Sequence, residues 1–197
     1  MDIFERKDLQ GVDLQGADLI GVNLQGANLE GANLIDAHIE GSSLTGANLI
    51  GVNLQRAHLE EANLEWVHLG GSNLKEANLR RANLSCANLT EADLRGANLK
   101  KANIEKATCQ LAKLLLVNCT ESNLKGANLE GANLKGTNLE GVDLEGANLE
   151  GANLKIAKNL SFNQLSKVKT LYATILDEEI LISLKEKYPS LFEKPYK

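Results

Sequence analysis

Leucine recurs at every fifth residue from Leu9 to Leu154, and the register holds for 30 successive repeats without insertion or deletion. We call this position the centre of each repeat. Four centres carry another apolar residue instead of leucine, namely Ile39, Ile104, Cys109 and Cys119. So strict an internal period constrains the architecture more than any other property of the chain.

A five-residue period fits neither regular secondary structure. On an α-helix, five residues advance about 500°, so successive leucines would scatter around the cylinder and leave no apolar face. On a flat strand, an odd spacing would place each leucine on the face opposite the last. The pattern therefore predicts short extended pieces that are separated by turns.

Each repeat supplies the parts of one such piece. A small residue lies two positions before the centre, as in Ala17 or Ala27, and in most repeats Asn or Asp stands between them. The small residue and the centre can both point inward while the Asn or Asp points outward. Of the 17 glycines, 16 lie two residues after a centre, where glycine lets the backbone turn at little steric cost. Stacked coils of this kind make a solenoid, and the number of sides per coil stays open.

Several repeats resemble a known family. Ala-Asn-Leu-Glu-Gly, Ala-Asn-Leu-Lys-Gly and Val-Asn-Leu-Gln-Gly are similar to the repeats of pentapeptide-repeat proteins, and the resemblance covers residues 8–157. It implies an all-β solenoid, a right-handed quadrilateral β-helix with four pentapeptides per coil. At about 4.8 Å per coil, the implied 7.5 or so coils would make a rod roughly 36 Å long. Residues four repeats apart would then stack on one another.

The two ends of such a rod need protection, because an open end exposes apolar side chains and unpaired backbone. We expect residues 1–157 to form the β-helix and residues 158–197 a short C-terminal α-helical cap. Ser161 and Gln164 form a capping-box pattern. A second helix is predicted to start after Asp177 and to stop at Pro189, with apolar residues at helical spacing: Ile180, Leu181, Leu184 and Tyr188.

Two alternatives concern these ends. The terminal elements could join two copies into a homodimer instead of, or as well as, capping the rod. Phe4 lies in frame as a degenerate centre and is expected to plug the N-terminal end. If it does not, two N-terminal ends could abut.

Composition excludes several classes of function. The chain has 21 Lys and Arg against 26 Asp and Glu, a net charge of −5, which argues against direct nucleic-acid binding. No apolar run reaches the roughly 18 residues of a membrane span, and the start of the chain lacks the apolar core of a signal peptide. Three cysteines without metal-ligand spacing indicate no disulfide framework. We therefore expect a cytoplasmic protein that does not associate with membranes.

The sequence contains no recognisable catalytic motif. There is no Ser–His–Asp constellation, phosphate-binding loop or paired-carboxylate cleft, and a solenoid filled by side chains offers no pocket. His38 and His58 would share one stacked row, and we interpret them as polar substitutes for Asn, because two histidines alone do not make a metal site. Cys109 and Cys119 are interpreted as core residues. We predict no enzymatic activity, no cofactor and no metal.

The middle of the chain departs from the ideal repeat. Between residues 56 and 121 most of the turn glycines are replaced, and residues 66–121 carry a net charge of +3, whereas residues 1–65 carry −8. Either the flanking repeats duplicated more recently, or the middle is a partner surface. The candidate partner-binding residues are Trp66, Arg80, Arg81, Lys100, Lys101, Leu111, Leu115 and Leu116.

Each group of candidates has an alternative interpretation. The four cations would stack at one corner and could accept an acidic partner, or Glu60, Glu61 and Glu121 on adjacent coils could neutralise them. The three leucines occupy outward positions, so they form an exposed contact patch unless a local distortion turns them inward. Tryptophan is enriched at binding hot spots, although one exposed residue is weak support.

These features favour a non-catalytic scaffold for protein–protein interaction whose protein partner is unidentified. The family resemblance implies an alternative, a DNA-mimic inhibitor or protector of DNA gyrase or another type II topoisomerase. The acidic stretch 1–65 fits that alternative in part, whereas the basic middle and the uninterrupted frame speak against it. A structural role without a dedicated partner is the third hypothesis.

Overall fold

The computed structural model describes residues 8–195. Each repeat contributes one residue that forms an isolated parallel bridge with the next coil, from Asp8 with Asn28 to Asn138 with Lys158. The two partners of each of these bridges are separated by four repeats, so four pentapeptides complete one coil. Within the described residues no strand is longer than a single bridge, because each turn interrupts the ladder before a second residue can pair.

Every side of the coil ends in a two-residue turn. In the first turn the Val12 N–H donates to the Leu9 carbonyl at 3.2 Å, and the second turn residue of every repeat has φ between +53° and +72°. Glycine holds that position in 16 repeats and another residue in 14, each of which accepts a left-handed conformation that costs about 1–2 kcal/mol. We number the four rows of turns edges 1 to 4. They start at residues 10–11, 15–16, 20–21 and 25–26, and each edge continues with the corresponding turn of every later coil.

The interior of the coil is filled by the residues that the period predicts. The centres are buried except for Leu14, which is half-buried, and most of the small residues two positions earlier are buried as well. Where serine replaces alanine, its hydroxyl donates to the carbonyl three residues back, as Ser72 does to Leu69 at 2.7 Å. The inward orientation of the centres is therefore confirmed, and these polar variants are satisfied within the core.

The bridge positions carry ladders of asparagine. Asn83 Nδ2 donates to Asn63 Oδ1 at 3.3 Å, and Asn103 Nδ2 donates to Asn83 Oδ1 at 3.1 Å. Asn83 Oδ1 also accepts the backbone N–H of Ser85 at 3.2 Å. A side chain with both a donor and an acceptor can bind the coils on either side and the following turn. This explains why Asn recurs between the small residue and the centre.

The first helix, α1, comprises Phe162–Leu165. Ser161 Oγ accepts the Gln164 N–H at 3.2 Å, and Gln164 Oε1 accepts the Ser161 N–H at 2.7 Å, so the predicted capping box is present. Gln164 Nε2 also donates to the carbonyls of Leu139 and Val142 at 2.8 and 2.9 Å. Those two carbonyls belong to the last full coil, so α1 supplies donors that a further coil would otherwise provide.

The parallel ladder continues after α1. Thr170 bridges Asn148 and Ile175 bridges Asn153, so the coil that contains α1 is two residues longer than the coils before it. The ladder thus runs past residue 157, the predicted boundary between the β-helix and the helical segment. The additional residues accommodate α1 before the chain returns to the stack.

The second helix, α2, comprises Glu178–Lys187 and is followed by a 3₁₀ helix, Pro189–Phe192. The predicted start at Asp177 is confirmed, but the Asp177 carboxylate does not cap α2 and instead accepts the Ile156 N–H at 3.0 Å. The helices of residues 8–195 are all too short to span a membrane. Phe4, the predicted N-terminal plug, lies outside the described residues.

Candidate protein-interaction surface

The eight predicted partner-binding residues lie on all four edges of the coil. The four cations Arg80, Arg81, Lys100 and Lys101 lie together on edge 3, and Trp66 lies on edge 4. Leu111 lies on edge 1, whereas Leu115 and Leu116 lie on edge 2. The structure therefore brings the cations together and places the leucines on two neighbouring edges, but the eight residues form no single surface.

The basic group on edge 3 is partly neutralised. Arg81 Nη1 lies 3.1 Å from Glu61 Oε1 on the preceding coil, and Lys101 Nζ lies 3.1 Å from Glu121 Oε2 on the following coil. These pairs confirm that glutamates on adjacent coils partly neutralise the cations of edge 3. Exposed ion pairs of this kind contribute only about 0–1 kcal/mol to stability. Among residues 8–195, Arg80 and Lys100 have no carboxylate within 4.0 Å. Edge 3 thus retains two half-buried cations that could meet an acidic group.

The leucines at the turns of edges 1 and 2 point outward. Leu111 is 56% exposed and Leu116 is 61% exposed, while Leu115 is half-buried. No local distortion turns them inward, because the ladder continues through them: the Leu111 N–H donates to the Glu130 carbonyl at 2.9 Å and the Leu116 N–H to the Lys135 carbonyl at 3.2 Å. Of the two interpretations, the structure supports the exposed patch.

Two further exposed residues extend this patch. Ile156, on edge 2 two coils after Leu116, is 55% exposed, and Ile175 is exposed on the side between edges 1 and 2. We define the apolar face as Leu111, Leu115, Leu116, Ile156 and Ile175. Its last two members were not predicted from the sequence. Ile156 could have been predicted, because it occupies a turn position that glycine holds in neighbouring repeats. Ile175 could not, because the coil that contains α1 is two residues longer and breaks the five-residue register.

Glycines shape the apolar face. Leu111 lies over Gly131 and Leu116 over Gly136, so each leucine covers the backbone of the coil after it, and Gly136 is buried. On edge 1 an open groove of about 380 Å³ runs from Leu111 over Gly131 and Gly151 to Ala173. The apolar face therefore has an open groove on edge 1, into which side chains of a partner can fit, and a covered glycine on edge 2.

Lysines border the apolar face. Lys113 lies on the side between edges 1 and 2, and Lys135 and Lys155 lie on edge 2; all three are exposed. In the part of the chain that the structure describes, none of them has a carboxylate within 4.0 Å. The surface thus combines exposed apolar side chains with cations that lack an ion-pair partner, although Glu130 and Glu150 line the groove on edge 1.

Trp66 is exposed and stands apart from the other candidates on edge 4. It adopts the left-handed turn conformation at φ +59°, which glycine would hold with less strain. Its backbone N–H donates to the Ser85 carbonyl at 3.0 Å, so the ladder is undisturbed there. Trp66 is therefore an isolated aromatic side chain on a regular edge.

One cluster beside edge 3 contains side chains that can ligate a metal. The rings of His38 and His58 stack with their centroids 4.7 Å apart and their planes 5° apart. Glu40 Oε1 lies 3.3 Å from His38 Nδ1, and one ligand atom from each of the three residues lies within 4.8 Å of the other two. The predicted pairing of the histidines is confirmed, but Glu40 was not foreseen, because a side-chain conformation brings it in.

The repeats match a family model that is described as pentapeptide repeats. The match comprises eight copies, over residues 8–46, 32–71, 72–108 and 118–155, and so covers well over half of the chain. No curated protein matches the chain.

Solved structures similar to this chain include HetL and Rfr23, both described as pentapeptide repeat proteins. HetL from the cyanobacterium Nostoc sp. strain PCC 7120, involved in heterocyst differentiation regulation, is 27% identical, with 84% of this chain and 83% of that chain aligned and a TM-score of 0.37. Rfr23 from the cyanobacterium Cyanothece 51142 is 26% identical, with 87% and 92% aligned and a TM-score of 0.19. A trypsin-treated form of QnrB1, a plasmid-mediated fluoroquinolone resistance protein, is 21% identical, with 90% and 96% aligned and a TM-score of 0.42.

Proposed function

Because the chain belongs to the pentapeptide repeat family, we propose that it is a non-catalytic scaffold that binds a protein partner on the outside of its solenoid. The observation that carries this proposal is the apolar face, where Leu111, Leu116 and Ile156 are each more than half exposed on adjoining edges. Exposed apolar side chains that group on one part of a protein surface are typical of contact sites, and Leu116 and Ile156 lie on either side of Gly136 on edge 2. The buried leucines and alanines fill the interior, which leaves the outer surface as the place for recognition.

The chemistry of the apolar face favours an amphipathic partner segment with acidic residues. Its apolar side chains would rest against Leu111, Leu116 and Ile156, where burial contributes most of the binding free energy. Its carboxylates would face Lys135 and Lys155, which would orient the segment and exclude basic competitors.

Edge 3 and Trp66 are proposed as secondary contacts of the same scaffold. Arg80 and Lys100 can meet a further acidic group of a long partner, and breaking the surface pairs of Arg81 and Lys101 would cost little. Trp66 supplies an exposed aromatic side chain on the neighbouring edge 4. Because these residues lie on edges other than those of the apolar face, a partner that contacts both would have to wrap around the rod.

We further take the solenoid of the repeats to have about 7.5 coils at the sheet spacing of about 4.8 Å. The predicted segment 158–197 is proposed as its C-terminal cap, and one longer coil of the ladder lies within that segment. The bonds from Gln164 to the carbonyls of Leu139 and Val142 support the cap. A homodimer through a terminal end is a separate proposal, and the exposed Ile182 on α2 supports it. Light scattering of the wild type and of Ile182→Lys tests it: a dimer lost in the variant supports a C-terminal contact, whereas a monomeric wild type rejects it.

Affinity capture with matched variants tests the scaffold. Leu111, Leu116 and Ile156 all stand in the turn position that glycine usually holds, so the triple glycine variant removes their side chains without straining the backbone. The control replaces Glu76, Cys86 and Lys106 with glycine. They stand in the same kind of position and are not members of the apolar face, Glu76 lying on edge 2 two coils before Leu116. A second variant carries Arg80→Glu, Arg81→Glu, Lys100→Glu and Lys101→Glu.

We expect a protein from a lysate of the source organism to be retained by the wild type and by the control and lost by the triple glycine variant. Loss by the four-glutamate variant as well would extend the contact to edge 3. The proposal for the apolar face fails if wild type and triple glycine variant retain the same proteins. Circular dichroism of each variant confirms that the fold is intact before capture.

Protection or inhibition of a type II topoisomerase is the second candidate. The net charge of −8 on residues 1–65 supports it, but Asp36 and Glu61 on edges 2 and 3 are paired with arginines on the next coil. A supercoiling assay with purified DNA gyrase separates the two functions. Inhibition, or relief of a gyrase poison, at stoichiometric amounts of the protein would favour this candidate over the scaffold.

A further inference from the structure

The stacked histidines beside edge 3 lie next to an unsatisfied carboxylate oxygen. Glu40 Oε1 contacts His38 Nδ1, but Glu40 Oε2 is buried and has no hydrogen-bond partner in the described residues. A buried carboxylate oxygen without a donor is rare in folded proteins, and a bound water or ion commonly satisfies it. Glu60 Oε2, on the next coil, is unsatisfied in the same way, and a cation beside the two imidazole rings would supply the partner that Glu40 Oε2 lacks.

The donor set selects the kind of cation. Two imidazole nitrogens and one carboxylate oxygen are ligands typical of Zn²⁺ and the neighbouring divalent transition metals, whereas Mg²⁺ and Ca²⁺ prefer oxygen alone. Three protein ligands with a fourth position open to water is a common zinc arrangement. The local charge is favourable as well, since Asp18 precedes His38 in the same row and Glu60 follows Glu40.

To close the site, the two imidazole rings must tilt out of their parallel stack, because each nitrogen binds an ion that lies in the plane of its own ring. Ligand atoms bound to Zn²⁺ at about 2.0–2.1 Å in a tetrahedron are roughly 3.4 Å apart, and the three candidate atoms lie within 4.8 Å of one another. The His38 side chain is 47% exposed and that of Glu40 is 30% exposed, so both can rotate without disturbing the core. The backbone ladder through His38 and His58 need not move, because only the rings and the carboxylate approach the ion.

We propose that His38, Glu40 and His58 bind a divalent transition-metal ion of the Zn²⁺ type. His38 and Glu40 belong to one coil and His58 to the next, so the ion joins two coils. Because the site exists only in the folded stack, the bound ion stabilises the rod against unfolding.

The test titrates the tag-free protein with ZnCl₂ by calorimetry. It uses a Cys86→Gly background, because Cys86 is the one cysteine that is not buried and could compete for the metal. His38→Asn and His58→Asn place in this row the residue that most repeats carry at the bridge position, so the variants should fold normally. The matched control is His68→Asn, since His68 lies in a different row between Asn48 and Asn88.

We expect one ion per chain and a higher melting temperature with Zn²⁺. Loss of an outer-shell partner costs about 10–100-fold in metal affinity, so loss of His38 or His58 should cost at least about tenfold. Glu40→Gln should weaken binding as well, and His68→Asn should leave it unchanged. The chain has three histidines, so imidazole NMR signals assigned with these variants should show shifts at His38 and His58 alone.

Three outcomes would overturn the proposal. One is the absence of both heat and NMR shifts with excess Zn²⁺. Another is equal affinity of the wild type and the double variant His38→Asn/His58→Asn, which would place the ion elsewhere. The third is a loss of Zn²⁺ affinity in His68→Asn as large as in His38→Asn or His58→Asn, which would show that the row of His38 and His58 does not hold the ion.

Discussion

A Cβ atom on Gly136 would lie 2.9 Å from Cδ2 of Leu116 on the preceding coil. Leu111 stands in the same relation to Gly131, at 2.7 Å. Each of these exposed leucines therefore rests on the space that a missing side chain leaves on the next coil. The apolar face depends on this pairing of a large residue with a glycine one coil later on the same edge.

Substitution of these glycines should reveal the contact. Gly136→Ala and Gly146→Ala force alanine into φ values of +69° and +68°, which should cost about 1–2 kcal/mol of unfolding free energy each. Gly146 has open space around it, whereas Gly136→Ala must also displace Leu116, at a further cost of roughly 0.5–1.5 kcal/mol. Urea denaturation measures both, and adding Leu116→Ala should abolish the difference. Equal losses for the two single variants would contradict the contact.

The buried centres should not tolerate charge. Leu84 is fully buried, so Leu84→Asp would place an unpaired carboxylate in a narrow apolar core and should prevent folding. Leu84→Ile is the control, because Ile104 fills the same row one coil later, and it should cost less than about 1.5 kcal/mol. Thermal melts followed by circular dichroism compare them. A cooperative, unshifted melt of Leu84→Asp would show that this centre does not face the core.

Asp93 should make stability depend on acid pH. Burial raises the pKa of its carboxyl, but the hydrogen bonds from Arg95 and the charges of Arg95 and Lys75 outweigh burial and hold the pKa below the ordinary value of 3.8. A lowered pKa in the folded state means that the stabilisation is complete above pH 3.8 and is lost as pH falls through the folded-state pKa.

The comparison for Asp93 is with Asp93→Asn, which restores the residue most repeats carry there. Denaturant unfolding at a series of pH values gives the free energy of unfolding of each protein. The difference in this free energy should be constant above pH 3.8 and should shrink below it. A difference that stays the same down to the most acidic pH would mean that the ion pairs of Asp93 contribute no stability.

The three cysteines should differ in reactivity. Burial raises the pKa of the Cys109 and Cys119 thiols to about 12, so neither forms the reactive thiolate near neutral pH. Cys86 is half-buried at a turn of edge 4 and is accessible to reagents. Brief treatment with iodoacetamide, followed by mass spectrometry, should modify one site in the native protein and three after denaturation. Modification of Cys109 without denaturant would indicate that the coils open locally.

Much of the architecture could be predicted from the repeat. The inward direction of the centres, the helix starts after Ser161 and Asp177, and the neutralisation of Arg81 by Glu61 are all confirmed. The apolar face was predicted only in part, because Ile175 joins it through the longer coil that contains α1. Glu40 was missed at the histidine pair, since its approach to His38 depends on the conformation of its side chain.

The amino-acid sequence by itself determined which side chains are buried and where the chain turns. Both are fixed within each repeat. A small residue and a leucine two positions apart point to the same side of an extended segment, and the turn after them directs that side inward. Which outward residues meet is decided by the tertiary structure, and the sequence predicted such contacts, Arg81 with Glu61 among them, only through the four-sided coil that the family resemblance implies. The contacts between outward residues depend on the number of sides in one coil. That number is set by how all the sides pack together around the common core. It therefore determined that the predicted cations and leucines lie on different edges, and that Leu116 meets Gly136.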